Sequence, residues 1–154
     1  MTDYGEVFEV WFDGANGGDG WYGGAKENRT IDRKNYYNYP EIYKMLSELQ
    51  PQAIIFSDGG PGCRWVGNEK GFAGATNWSF LRTGEVFPGY EKYRTLQYGH
   101  ADGDQWVAAE CDVSIRPGWF YHPEEDNQVK NVDQLTDLYS VSYTHLTLPT
   151  NSRV

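Results

Sequence analysis

The chain has 154 residues, which is enough for one domain with a hydrophobic core and too few for two domains of ordinary size. Its net charge of −9 at pH 7 argues against a nucleic-acid or anionic-membrane surface, because such surfaces need clustered lysine and arginine. No apolar run reaches the ~18 residues of a membrane-spanning helix, so no membrane insertion is expected.

The first half of the chain predicts a strand, a helix and a second strand. Val7 to Phe12 is apolar and aromatic, which is typical of a buried strand, and it runs into Asp13 and a Gly-rich loop. Apolar residues at helical spacing predict a helix from about Asp32 to Leu49. A second buried strand is predicted at 53–56, and it too is followed by an acid, Asp58, and by glycines.

The second half continues the alternation after a long aromatic and Gly-rich connection. A third strand is predicted at 106–115 and a helix at 132–139. Such β/α alternation favours a parallel sheet with helices outside it, and acids gather where the strands end. We therefore predict an α/β fold that forms part of a (β/α)8 barrel, since a complete barrel takes ~250 residues.

Asp13, in the phrase FDGAN, has two interpretations that the local sequence leaves open. Asp-Gly is a strong signal for a hairpin turn, but the residues that follow do not resume an alternating strand. The segment GDGWYG formally matches the dinucleotide motif, yet no helix follows it directly. A calcium loop built on Asp13, Asn16 and Asp19 lacks the closing glutamate of an EF-hand.

The aromatic content points to a sugar site. Trp, Tyr and Phe make up 16% of the chain, and pyranose rings stack on flat aromatic faces. Glu69, in the phrase RWVGNEKG, follows Trp65 and Asn68. Hydrolysis of a glycosidic bond needs two carboxylates, one protonated and one ionised, and Asp13 and Glu69 are the candidates.

A third phrase, AECDVSIRPGWFYHP, lies at the end of the last predicted strand. Here we expect Glu110 and Arg116 to form a buried ion pair, and we interpret Trp119 as a stacking surface for sugar. Cys63 and Cys111 show neither a disulfide framework nor a metal-binding spacing.

Together, FEVWFDGANGG, RWVGNEKG and AECDVSIRPGWFYHP resemble the family-29 glycoside hydrolases, the α-L-fucosidases, and within them a bacterial branch. The resemblance implies a (β/α)8-like catalytic domain and a retaining double displacement, with Asp13 as nucleophile and Glu69 as general acid/base. It implies a fucosylated oligosaccharide or glycoconjugate as substrate, no cofactor or metal, and a periplasmic or secreted parent protein. The expected substrate-binding residues are Trp11, Arg64, Trp65, Asn68, Trp119, Tyr121 and His122.

The resemblance ends at about Tyr139, so we predict residues 1–139 to be a fragment of the catalytic barrel and 140–154 to be a non-native tail. The chain by itself is accordingly expected to fold poorly and to be inactive. The alternative function is a non-catalytic carbohydrate-binding module built on the same aromatic residues. A binding module needs aromatic and amide groups, whereas the enzyme also needs two carboxylates that face each other.

Overall fold

The computed structural model describes residues 3–13, 19–20, 26–70 and 78–146, and the predicted tail from 147 onward lies outside the described residues. The elements in chain order are β1 (Glu9–Trp11), α1 (Tyr39–Leu49), β2 (Ile54–Ser57), β3 (Cys63–Trp65), β4 (Phe80–Leu81), α2 (Tyr93–Tyr98), β5 (Gln105–Trp106), β6 (Ala108–Glu110), a 3-10 helix (Pro123–Gln128) and α3 (Val132–Leu146).

A parallel sheet of four strands, in the order β1-β2-β3-β6, forms the framework of the described residues. Each pair of neighbouring strands is parallel, so all four strands run in the same direction. In the register of the sheet, Trp11 lies beside Phe56, Phe56 beside Cys63, and Trp65 beside Glu110. The predicted parallel α/β architecture is confirmed. β4 and β5 form a separate antiparallel pair.

Helix α1 begins later than the sequence pattern indicates. Residues 33–37 form turns, and Pro40 lies in the first helical turn after Asn38, whose φ of 51° is left-handed. A proline fits the first turn of a helix but disfavours a helical residue before it, so the helix cannot extend back to Asp32. The helix buries Tyr39 and Leu46, and its Tyr43 hydroxyl donates to Ser57 Oγ on β2.

The third predicted strand, at 106–115, is divided between two sheets. β5 pairs with β4, while β6 joins the parallel sheet, and Val107 lies fully buried between them. Residues 111–115 are not in a strand. β3 was not predicted, because it is short, carries the charged Arg64 and lies within a Gly-rich segment.

Helix α3 starts with reciprocal hydrogen bonds between Asn131 and Gln134. The backbone N–H of each residue donates to the side-chain oxygen of the other, both at 2.9 Å, which is a capping box. The helix runs through to Leu146, beyond the predicted end at Tyr139, so the predicted domain boundary at 140 lies inside a helix.

The buried core lies between β3, the β4–β5 pair and α2. Its fully or largely buried members are Leu81, Val86, Tyr90, Leu96 and Val107, and Trp65 and Phe87 pack against them. This core fixes the position of β3 and of the chain that leaves its carboxyl end.

Candidate active site

Each strand of the parallel sheet is followed by a carboxylate. Asp13 comes two residues after β1, Asp58 directly after β2, Glu69 four residues after β3, and Asp112 two residues after β6. Because the strands are parallel, their carboxyl ends meet at one edge of the sheet, where α/β folds place their sites.

These carboxylates interact electrostatically across the edge. Burial raises the pKa of Asp58, and the charges of Asp13 and Asp112 raise it further. The pKa of Asp112 is raised first by burial and then by Glu69 and Asp13. The charges of both predicted catalytic carboxylates thus favour the protonated form of Asp112. Their predicted roles as nucleophile and acid/base remain predictions.

Two N–H donors keep the raised pKa values from rising further. The backbone N–H of Gly89 donates to Asp58 Oδ2 at 2.7 Å, and the indole Nε1–H of Trp65 donates to Asp112 Oδ1 at 2.6 Å. Each bond favours the ionised carboxylate and so lowers the pKa of its acceptor. Asp58 and Asp112 were not among the predicted site residues. Asp58 follows a predicted strand, and that position was the available signal, whereas Asp112 lay inside the strand predicted at 106–115 and is placed after β6 only by the structure.

The turn that carries Glu69 depends on Gly67. This glycine has a φ of +84°, and a Cβ there would collide with the carbonyl oxygen of Tyr93. Only glycine satisfies both conditions, so the chain can turn directly after β3 and lie against α2. Asn68 Oδ1 then accepts the backbone N–H of Lys70 at 3.0 Å, and Glu69 is exposed between them.

The predicted aromatic contacts lie at three places around this edge. Trp11 stacks on Phe56 with ring centroids 4.8 Å apart and is 44% exposed. Trp65 meets Tyr93 edge to face at 5.3 Å. Trp119 is 49% exposed and shares with Trp65, Asn68 and Glu69 the wall of one cavity.

Three other predicted substrate contacts have partners of their own. Arg64 is fully buried, and its guanidinium donates to the backbone carbonyls of Leu96, Val107 and Trp78 at 3.0, 2.8 and 3.3 Å. The structure therefore does not bring Arg64 to the exposed edge. Tyr121 is exposed and lies against the guanidinium of Arg116, 4.7 Å from its ring centroid. His122 is exposed, with Nδ1 3.8 Å from Glu124 Oε1.

The expected ion pair between Glu110 and Arg116 is not formed. Arg116 pairs with Asp126 at 2.7 Å, because the chain turns away after β6. Glu110 instead accepts the thiol of Cys63 at 3.3 Å. The pattern placed the two residues in one segment but did not determine which way that segment turns.

Glu9, Cys63 and Glu110 form a second cluster, one layer below the edge. One ligand atom from each lies within 4.8 Å of the others, which is close enough for a single cation to bridge them. Burial, followed by the charge of Glu110, raises the pKa of Glu9 and favours its protonated form. Burial, followed by the charge of Glu110, likewise raises the pKa of the Cys63 thiol.

Comparison with known proteins bears on the fold and the family of the chain. No protein-family model matches the chain. Alpha-L-fucosidase 1 of Arabidopsis thaliana is 44% identical over 144 residues, covering 90% of this chain and 25% of that protein. A solved glycoside hydrolase 29 family member from an unknown rumen bacterium is 53% identical, with a TM-score of 0.76, covering 94% of this chain and 26% of that one.

A Ruminococcus gnavus family-29 fucosidase, solved in complex with fucose, is 27% identical with a TM-score of 0.62, covering 92% of this chain and 27% of that one. The chain thus spans about a quarter of the length of the relatives that it matches. None of the helices in the described part of the chain is long and apolar enough to cross a membrane. The resemblance seen in the three motifs is confirmed, and the chain belongs to glycoside hydrolase family 29.

Proposed function

We propose that the whole protein releases terminal α-L-fucose from glycans by a retaining double displacement. The supporting observation is that Asp13 follows β1 and Glu69 follows β3, so both carboxylates lie at the carboxyl edge of the same parallel sheet. The matched relatives are named fucosidases, and one was solved with fucose bound. The periplasmic or secreted location implied by the family stays a prediction.

In the first step of the proposed reaction, Asp13 attacks the anomeric carbon of fucose and the glycosidic bond breaks. Glu69 donates its proton to the departing oxygen, so a covalent fucosyl-Asp13 intermediate and a free leaving group result. In the second step Glu69 takes a proton from water, and the resulting hydroxide oxygen replaces Asp13. The two inversions together retain the α configuration.

The test uses the whole protein. We expect the protein to release fucose from an aryl α-L-fucoside. NMR should show that the α-anomer of fucose forms first, because the configuration is retained. Asp13→Asn should lower kcat by at least about 10³-fold, because the amide cannot serve as nucleophile. Asp102→Asn is the matched control, since Asp102 is 75% exposed in the turn before β5, and it should leave kcat unchanged.

Glu69→Gln tests the second carboxylate. It should cost about 10²- to 10⁴-fold on a fucosylated oligosaccharide, whose leaving oxygen needs a proton, and less on an aryl fucoside with a good leaving group. For the chain by itself we expect no turnover above its Asp13→Asn variant. A folded whole protein that binds fucosylated glycans without releasing fucose would support the carbohydrate-binding alternative instead.

A further inference from the structure

The segment that follows α2 lies along β4, on the side away from β5. The backbone N–H of Trp78 donates to the carbonyl of Tyr98 at 2.8 Å, and the N–H of His100 donates to the carbonyl of Phe80 at 2.8 Å. Gly99 permits this close approach, because it has a φ of +67° and a Cβ there would collide with the carbonyl oxygen of Trp78. The segment therefore lies beside β4 as a third strand would.

A histidine side chain provides the next hydrogen bond of this ladder. The backbone N–H of Arg82, directly after β4, donates to Nδ1 of His100 at 3.2 Å. His100 is only 8% exposed. An imidazole nitrogen accepts a hydrogen bond only when it carries no proton. The bond to Arg82 therefore requires a neutral His100 with its proton on Nε2.

The charged groups around the imidazole oppose one another. Among the described residues, two arginines disfavour a positive charge on His100 and three carboxylates favour it. They are Arg64 on β3, Arg82 after β4, Glu85 in the following turn, and Asp102 and Asp104 before β5. Burial, followed by the charge of Arg82, lowers the pKa of His100 from the ordinary value of 6.5. The buried position of the imidazole thus favours its neutral form.

We propose that His100 is a pH-sensitive latch: a proton taken from solvent onto Nδ1 removes the acceptor of the Arg82 N–H and releases residues 98–103 from β4. The latch is linked to β3, because the guanidinium of Arg64 donates to the carbonyl of Trp78 in the same ladder, at 3.3 Å. The inference does not depend on the proposed fucosidase activity.

The experiment measures amide hydrogen exchange in the whole protein between pH 8 and pH 5. Exchange is expressed as protection factors, so that its intrinsic pH dependence is removed. Protection of the Arg82 amide and of residues 98–103 should be constant above the ordinary value of 6.5 and fall at lower pH, because the lowered pKa links the closed latch to neutral His100. The expected fall is about tenfold, as for the loss of one hydrogen bond. Phe56 on β2 should keep its protection in the same sample.

Variants at position 100 separate the acceptor from the charge. His100→Asn keeps an acceptor that does not titrate, since the amide oxygen can take the place of Nδ1, and its protection at Arg82 should stay constant down to pH 5. His100→Ala supplies no acceptor and should show low protection at every pH. His122→Asn is the control, because His122 has an exposed side chain outside this ladder, and it should retain the fall seen in the wild type.

A fall of equal size in the wild type and in His100→Asn would overturn the inference, since another group would then be titrating. Constant protection of Arg82 in the wild type would overturn it as well. If His100→Asn fails to fold, as judged by its thermal unfolding at pH 8, the comparison of Arg82 with Phe56 within the wild type decides the matter. Equal losses of protection at those two positions would contradict a local latch.

Discussion

The two faces of the parallel sheet differ in how their polar groups are paired. On the side we term the helix face, Phe12, Ser57 and Arg64 lie against helices and loops. Successive residues of a strand point to opposite sides, so their neighbours form the other face, which we term the acid face. The acid face carries Glu9, Trp11, Phe56, Cys63 and Glu110.

On the helix face, the buried polar groups have hydrogen-bond partners. The Tyr43 hydroxyl meets Ser57 Oγ at 3.1 Å, Ser57 donates to the carbonyl of Gly60, and Arg64 donates to three carbonyls. On the acid face, one carboxyl oxygen of Glu9 is buried without a hydrogen-bond partner among the described residues. The hydrogen bonds of the helix face stabilise the fold. The acid face ends at the four carboxylates of the sheet edge, and its buried, unpaired carboxyl oxygen of Glu9 is unfavourable for stability.

The largest effect should come from the helix face. Arg64→Met keeps the bulk of the side chain but leaves the carbonyls of Trp78, Leu96 and Val107 without their donor. We expect the free energy of unfolding of the whole protein to fall by about 3 kcal/mol or more, measured by chemical denaturation.

The control for this change is Arg116→Met, since Arg116 pairs with the more exposed Asp126. Its expected cost is about 1 kcal/mol or less. Similar losses at the two positions would show that the buried network of Arg64 is not a main source of stability.

A smaller effect is expected at Tyr43 on the same face. Tyr43→Phe removes the hydrogen bond to Ser57 and should cost about 1 kcal/mol at pH 8. Burial raises the pKa of Tyr43 to about 12, so in the folded protein the phenol keeps its proton beyond the ordinary value of 10.0. The stability due to this raised pKa is complete below pH 10 and is lost as the pH rises towards 12.

The stability advantage of the wild type over Tyr43→Phe should therefore shrink between pH 10 and 12, as measured by denaturation at several pH values. Tyr4→Phe, at a position that is 90% exposed, provides the control and should show no such trend. An advantage that stays constant across this range would contradict the assignment.

The smallest effect on stability is expected at Glu9 on the acid face, where the substitution should stabilise the protein. The raised pKa of Glu9 favours its protonated form, so its contribution to stability is present below the ordinary value of 4.5 and is lost as the pH rises. Glu9→Gln cannot ionise, so the variant should be slightly more stable than the wild type at pH 7, with the difference vanishing below pH 4.5.

Thermal unfolding of the wild type and of Glu9→Gln at pH 4 and pH 7 measures this pH-dependent difference in stability. Glu6→Gln, at an exposed position just before β1, serves as the matched control. A variant that is less stable than the wild type at pH 7 would show that the Glu9 carboxylate is stabilised on the acid face.

The parallel α/β architecture, the acids that follow β1 and β2, and the family were all predictable from the sequence. These features are local or periodic: the run VFEVWF predicts a strand without knowledge of its neighbours, and Asp13 follows it in any fold. β3 and the division of residues 105–110 between two sheets were not predicted from the sequence, because strands of two or three residues carry too little periodicity to detect.

Which side chains meet depends on the tertiary structure. Arg64 lies between Trp65 and Cys63 in the sequence, yet it points to the buried helix face, while Cys63 lies on the acid face beside Glu110. Arg116 pairs with Asp126 and not with Glu110, and Asp112, 47 residues from Trp65, anchors its indole. Such choices depend on strand register and on the direction of each turn, which long-range pairing fixes and no local pattern encodes.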